Sequence, residues 1–144
     1  MVGKDIDFSN KELSKLIPEQ YQKNFILAGE VENIMTYMQA MEIFCLSSLW
    51  GEGFPNVLGE AMLAKLPCVV TNIGDSAEVL GDCGSMVDLP ITKEKIFKHL
   101  NDMIQLPKDD LIKIGKRGRQ RILKNFTISK KIEEYHMLYA EVLK

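Results

Sequence analysis

The sequence contains few of the residues that build disulfide frameworks or metal sites. Among its 144 residues are two histidines and three cysteines, which are Cys45, Cys68 and Cys83. The odd cysteine count, without a CxxC pair or nearby histidines, argues against a disulfide scaffold and a zinc site, so no metal site is expected. Cys45 and Cys68 lie in apolar runs, which predicts buried thiols. A reducing, cytoplasmic location fits this pattern best.

Long apolar runs and a strong net charge are also absent. No segment approaches the roughly 18 apolar residues of a membrane helix, and no basic-then-apolar leader opens the chain. The formal net charge of -2 gives no general attraction to nucleic acid, which is therefore not an expected partner. The basic tract 108–131 is interpreted first as a solvated helix face. The alternative for this tract is peripheral contact with an anionic membrane, or contact with nucleic acid.

The sequence does contain alternating short apolar runs and helical segments. This pattern predicts the α/β class, with a Rossmann-like, three-layer parallel sheet covered by helices on both faces and followed by C-terminal helices. A single domain is expected over residues 1–144. Because the opening MVG resembles the tail of a strand, we expect the domain to be truncated at its N-terminal edge.

The predicted elements follow from apolar spacing and capping residues. A capping box of Ser9 and Glu12 predicts a helix that runs to Ile17, while Asn33, Thr92 and Thr127 are predicted to start later helices. Strands are predicted at 24–30, 42–48, 67–72 and 84–89. Apolar residues at helical spacing predict further helices at 33–41, 75–80, 93–106, 109–126 and from 128 onward.

The stretch GEGFPNVLGEAM, residues 51–62, contains the most informative pattern. It separates Glu52 from Glu60 by seven residues and follows a predicted strand, where open α/β sheets bind their ligands. Pro55 is expected near the first helical position, and Gly53 allows a ligand to approach the backbone. The helix start is then an anion site, built from the free amides of Phe54, Asn56 and Val57. Phosphate at this site, with hydroxyl groups bound at each acid, would explain the spacing.

The same region resembles a known family. EGFPNVLGEAM followed by LPCVVTNIGDSAEVLGDCG closely resembles the retaining nucleotide-sugar glycosyltransferases of the GT-B fold, in the glycosyltransferase family 4 group. The resemblance extends through nearly the whole chain. The positions that match the family's pattern are Glu52, Gly53, Glu60, Ala61, Pro67, Val69, Gly74 and Glu78.

The resemblance implies that this chain is the C-terminal, donor-binding domain of such an enzyme, one half of a GT-B fold. The implied reaction transfers a sugar from a nucleotide-sugar to an acceptor with retention, without a metal and with no cofactor beyond this substrate. Glu52 would contact the transferred sugar as the catalytic residue, and Glu60 would bind the ribose. The remaining implied donor-binding residues are Gly53, Phe54, Pro55, Asn56 and Val57 at the phosphate and Gly29, Glu30 and Val31 at the base.

Two departures from the family matter. The Arg and Lys that bind the diphosphate in the family have no counterpart before MVGKD, and the N-terminal acceptor domain is missing as well. We therefore expect this fragment alone to be inactive and to bind a donor weakly. Lys65 replaces the family's usual glycine at the end of the motif helix, which costs about 1 kcal/mol if the backbone there is left-handed.

The sequence is also compatible with other functions. A sugar-nucleotide epimerase of GT-B layout is the nearest enzyme alternative, and a Rossmann-like binding or signalling module is the non-enzymatic one. A glycoside hydrolase is disfavoured, because it needs no phosphate site at a helix start. If the last helix packs on an N-terminal domain in a longer protein, part of the side that carries Tyr135 and Tyr139 should be exposed here or be buried by a second copy of the chain.

Overall fold

The computed structural model describes residues 1–143. The chain divides into two compact units, Met1–Tyr37 and Met38–Lys144. The first unit contains helix α1, Lys11–Leu16, and a short 3-10 helix, Glu19–Asn24. Helix α2, Ile34–Met38, follows. That the whole chain forms one domain stays a prediction.

Helix α1 begins one residue later than the sequence predicts. Its N-cap is Asn10, whose Oδ1 accepts hydrogen bonds from the backbone N–H groups of Glu12 and Leu13, each at 3.1 Å. The predicted capping box of Ser9 and Glu12 is therefore wrong. Asparagine is as good an N-cap as serine, and here its side chain reaches two free amides of the first turn. The predicted entry of α2 at Asn33 is confirmed, since its Oδ1 accepts from Met35 N–H at 3.1 Å.

The predicted strand at 24–30 is wrong. Its first residue ends the 3-10 helix, Glu19–Asn24, and the residues after it form no strand. The backbone still lies beside the start of the chain, where Ala28 N–H donates to the carbonyl oxygen of Met1 at 3.0 Å. A strand needs a regular ladder of such bonds, and none of the strands in the described residues pairs with this segment.

The second unit contains a parallel sheet of three strands. These are β1, Phe44–Leu46, β2, Cys68–Thr71, and β3, Gly84–Val87, in the order β1-β2-β3. Helix α3, Asn56–Leu63, connects the first two strands, and α4, Ser76–Leu80, connects the second pair. The three strands and α4 each lie within their predicted segments, and α3 follows the GFP turn where a helix start is predicted. The sheet and its crossovers confirm the predicted α/β class.

Helices cover both faces of this sheet. Val69 and Val87, each 1% exposed, pack with Met103 of α5, Lys93–Ile104. Val70 points to the opposite face because side chains alternate along a strand. On that face β2 is in contact with α3 and α4, and Val70 is fully buried. Apolar side chains on both sides therefore fix the sheet in a three-layer arrangement.

Two further helices complete the second unit. They are α6, Lys108–Asn125, and α7, Ile128–Val142. The predicted caps are confirmed: Thr92 Oγ1 accepts from Lys95 N–H at 3.3 Å, and Thr127 does the same for Lys130 at the start of α7. No residue of α7 is buried in the described chain. None of the helices among residues 1–143 has the length and apolarity needed to cross a bilayer.

The predicted exposed stripe on α7 is present. Tyr135 is 58% exposed and Tyr139 is 62% exposed. The two rings stack on each other with centroids 6.3 Å apart. The stripe is therefore open, as expected for a face that packs against further protein.

Helix α3 ends in a Schellman motif. Lys65 N–H donates to the carbonyl of Met62, and Leu66 N–H donates to the carbonyl of Ala61, both at 3.0 Å. Lys65 has a φ of 64°, so the left-handed backbone implied at this position is confirmed. Helix α6 crosses this turn so closely that a Cβ on Gly115 would overlap the carbonyl oxygen of Lys65.

Replacing Lys65 with glycine should stabilise the fold. Glycine adopts the left-handed region without the steric cost of a side chain, so Lys65→Gly should raise the free energy of unfolding by about 1 kcal/mol. Urea denaturation monitored by circular dichroism measures this. Lys116→Gly, inside α6, is the control and should lower the free energy by about 1 kcal/mol. A loss of stability in Lys65→Gly would contradict the assignment of strain to this turn.

The thiols divide into two environments. Cys68 and Cys83 are buried, whereas Cys45 is exposed, so the prediction of burial is correct for Cys68 and wrong for Cys45. The reason is that β1 lies at the edge of the described sheet, where Cys45 has a neighbouring strand on one side only. Burial raises the pKa of the Cys68 thiol to about 12. Cys68 is therefore almost entirely protonated near neutral pH.

Thiol labelling should distinguish these environments. In the native protein at pH 8, an aromatic disulfide reagent should modify Cys45 before the other thiols and leave Cys68 and Cys83 intact, because labelling needs an accessible thiolate. In denaturant all the thiols should react. The variant Cys45→Ser should remove the rapid phase completely. Rapid labelling of Cys68 in the native protein would show that β2 is not buried as described.

Candidate functional site

The site begins where β1 and β2 end. Ser48 follows β1, and its Oγ donates a hydrogen bond of 2.5 Å to Oε1 of Glu52. Thr71, the last residue of β2, donates from Oγ1 to the carbonyl oxygen of Ser48 at 2.6 Å. The buried end of β2 therefore holds the start of the loop, and the loop in turn orients the half-buried Glu52 carboxylate.

The turn after β2 packs against the same loop. Gly74 has a φ of 56°, and a Cβ at this position would overlap the carbonyl oxygen of Glu52 and lie 2.7 Å from that of Gly53. Next to it, Asp75 N–H donates to the carbonyl oxygen of Gly53 at 3.0 Å. Two backbone segments are thus in direct contact, which requires glycine at position 74.

Helix α3 starts within the GFPN stretch. Pro55 is its N-cap, directly before the first helical residue Asn56, so the prediction that proline lies near the start of the helix is confirmed. Proline has no side chain that can accept a hydrogen bond, and Pro55 makes no side-chain cap. Its carbonyl oxygen accepts a hydrogen bond from Leu58 N–H at 2.9 Å. The amides of Asn56 and Val57 in the first turn therefore receive no side-chain cap from Pro55, which suits them to bind an anion.

Glu60 faces a cavity of about 240 Å³. The cavity brings together three of the predicted residues, which are Phe54, Asn56 and Glu60. Glu52 is not among its lining residues, so the two acids do not share this cavity. The full lining is Phe54, Asn56, Gly59, Glu60, Leu63, Ile122 and Phe126.

The predicted base-contacting residues Gly29, Glu30 and Val31 lie in the first unit. Gly29 has a φ of 68°, and its N–H donates to the carbonyl oxygen of Ile6 at 2.8 Å. The role of these residues stays a prediction, as do the roles of Glu52 and Glu60. Within residues 1–143 no cluster of three or more His, Cys, Asp or Glu side chains could hold a metal ion.

A second cavity of about 340 Å³ lies elsewhere in the second unit. It includes Glu42 and Pro67, which precede β1 and β2, so it lies at the amino-terminal edge of the sheet. None of the predicted site residues lines it. Parallel α/β sheets bind their ligands at the carboxyl edge, and we therefore regard the loop at Glu52 and the start of α3 as the candidate site.

Solved structures share this fold. A glycosyltransferase from Rickettsia africae ESF-5 aligns over 100% of this chain and 39% of that chain, with a TM-score of 0.81 and 23% identity. Sucrose-phosphate synthase from Thermosynechococcus elongatus aligns over 94% of this chain and 34% of that chain, with a TM-score of 0.78 and 18% identity. These likenesses define the class: a Rossmann-like α/β fold that corresponds to one half of a GT-B fold.

The sequence comparisons identify the family. Residues 1–105 match the family model of the glycosyl transferases group 1, and the chain belongs to this family. It is 30% identical to UDP-Gal:alpha-D-GlcNAc-diphosphoundecaprenol alpha-1,3-galactosyltransferase of Escherichia coli over 85% of this chain and 31% of that protein. It is 28% identical to N-acetyl-alpha-D-glucosaminyl L-malate synthase of Bacillus anthracis over 83% of this chain and 31% of that protein.

The predicted family is therefore confirmed. The chain spans about a third of the length of the curated relatives it matches, which fits the predicted C-terminal domain of a two-domain enzyme. The comparisons do not support the epimerase or the signalling module that the sequence left open. Peripheral membrane contact and a cytoplasmic location stay predictions.

Substitution of Gly74 should lower the free energy of unfolding, because its neighbours in the candidate site leave no room for a side chain. In Gly74→Ala the new methyl group overlaps the Glu52 carbonyl and strains a left-handed residue, so we expect a loss of about 3 kcal/mol in unfolding free energy. Denaturant unfolding measures this. The matched control is Gly53→Ala, where a Cβ meets nothing within 4 Å and little stability should be lost. Equal stability of both variants would contradict the close contact at Gly74.

Proposed function

We propose that this chain is the donor-binding domain of a glycosyltransferase that transfers a sugar from a nucleotide-sugar to an acceptor. The observation that carries the proposal is the loop between β1 and α3, which holds Glu52 at the carboxyl edge of the sheet and leads into a helix start without a side-chain cap. Membership of the glycosyl transferases group 1 family supports the same function.

The diphosphate of the donor would bind at the start of α3. Each backbone N–H donated to a charged phosphate oxygen contributes about 1.5 to 3 kcal/mol. The helix dipole adds about 0.3 to 1 kcal/mol, and up to about 2 kcal/mol in a partly buried site. The amides of Asn56 and Val57 are the donors expected to contribute most, because they belong to the first turn after Pro55. In this proposal they bind the phosphates without a metal ion.

The two glutamates would bind hydroxyl groups rather than phosphate. Glu52 accepts a hydrogen bond from Ser48 on one oxygen, which orients the carboxylate and leaves acceptor capacity for a sugar hydroxyl. Glu60 lines a separate cavity with Asn56, so it can bind the ribose while Glu52 contacts the transferred sugar. This division of roles accounts for the spacing of the two acids along the sequence.

Transfer would retain the anomeric configuration. The acceptor hydroxyl attacks the face from which the phosphate leaves, and a leaving phosphate oxygen takes the hydroxyl proton. Glu52 then stabilises positive charge that develops on the sugar and positions it, without forming a covalent bond. The acceptor would bind to the N-terminal domain of a longer protein, and the expected location is the cytoplasm. A UDP-sugar is the first donor to test, since the Escherichia coli relative is named for UDP-Gal.

Exchanging each glutamate for glutamine should separate the two roles. Glu60→Gln should weaken binding of both UDP and a UDP-sugar about tenfold or more, because each loses a charged acceptor for the ribose. Glu52→Gln should weaken binding of the UDP-sugar while leaving UDP nearly unchanged. Isothermal titration calorimetry with UDP, GDP, ADP and TDP and their sugars measures these affinities.

Glu42→Gln is the control for these titrations. It removes an exposed acid at the amino-terminal edge of the sheet and should bind like the wild type. Circular dichroism checks that each variant is folded. Unchanged affinities in a folded Glu60→Gln protein would refute the ribose role. Failure of the wild type to bind any of the nucleotides or nucleotide-sugars would refute the proposed function of this chain.

A further inference from the structure

An aromatic pair joins the candidate loop to the end of α6. Phe54 lies in the loop two residues after Glu52, and Phe126 is the C-cap of α6. Their ring centroids are 5.6 Å apart with an interplanar angle of 52°. This is the tilted geometry that aromatic pairs prefer, so the contact favours one position of Phe54 over others.

Phe126 is itself held by neighbouring cations. The guanidinium carbon of Arg121 and the Nζ atom of Lys131 each lie 5.7 Å from the ring centroid. Arg121 also donates from Nε to the carbonyl oxygen of Val79 at 2.9 Å, at the end of α4. The ring is therefore fixed by α6, by α7 and, through Arg121, by α4.

Phe126 also forms part of the wall of the Glu60 cavity. It lines that cavity together with Ile122 and Phe54. The match to the glycosyl transferases group 1 family ends at residue 105, so Ile122 and Phe126 belong to a part of the chain outside that match. The spacing of apolar residues in the sequence marks Phe126 as a helix residue only and gives no sign of its contact with the loop.

We propose that Phe126 is a positioning residue for the donor site, acting through Phe54. Its ring holds the loop from Glu52 to Asn56 in the arrangement that presents the acid and the helix start to a donor. The consequence for donor binding rests on the proposed function. The consequence for the loop does not, because it follows from the ring contact alone.

Hydrogen exchange tests the effect on the loop. In Phe126→Ala, the Asp75 amide, which is bound to the Gly53 carbonyl, and the Leu58 amide at the start of α3 should exchange about three- to tenfold faster. The Val70 amide in the core of β2 should not change. Phe126→Tyr keeps the ring and should restore exchange to within about twofold of the wild type. The control Phe97→Ala removes a ring that is 70% exposed on α5 and should match the wild type.

Titration of UDP into the same variants tests the effect on binding. Phe126→Ala should weaken the affinity by about three- to tenfold, and Phe126→Tyr should restore it. Unchanged exchange at Asp75 and Leu58 would overturn the proposal. Faster exchange at Val70 to the same extent would overturn it too, since Phe126 would then support the whole fold. If the wild type binds no UDP, the proposed function fails, while the exchange comparison still decides whether Phe126 positions the loop.

Discussion

The close approach of two backbone segments at the carboxyl edge of the sheet is the constraint on which the candidate site depends. The carbonyl oxygen of Glu52 occupies the space that a side chain at Gly74 would need, and Asp75 N–H binds the adjacent Gly53 carbonyl. Thr71 holds the other end of the loop through Ser48. These contacts come from the buried strand β2 and the turn after it. The packed core therefore holds the loop of the candidate site in place.

Much of this arrangement could be predicted from the sequence. The apolar run at Val69 and Val70 predicted a buried strand, and the GEGFPN stretch predicted a turn from strand to helix, because both signals are local. Three predictions were wrong: Ser9 as the cap of α1, burial of Cys45, and a strand at 24–30. Each of these depends on which neighbour is present to cap, cover or pair with the segment, and a single sequence does not report that.

The contacts that shape the candidate cavity are also non-local. Phe126 lies more than sixty positions after Glu60, yet the two residues line the same cavity. The C-terminal helices therefore contribute to the candidate site as well as to the core, where Leu111 and Ile114 pack against the sheet. The open stripe of α7 gives the same end of the chain an apolar surface that is available for contact with further protein.

The central claim is that a diphosphate binds where the loop enters α3. Mapping amide chemical shifts of the ¹⁵N-labelled chain during addition of nucleoside diphosphates tests it most directly. The account predicts that the largest shifts fall on Gly53, Asn56 and Val57, with smaller ones at Gly74 and Asp75. Shifts concentrated around Glu42 and Lys65 at the opposite edge of the sheet, or no shifts at saturating nucleotide, would contradict it.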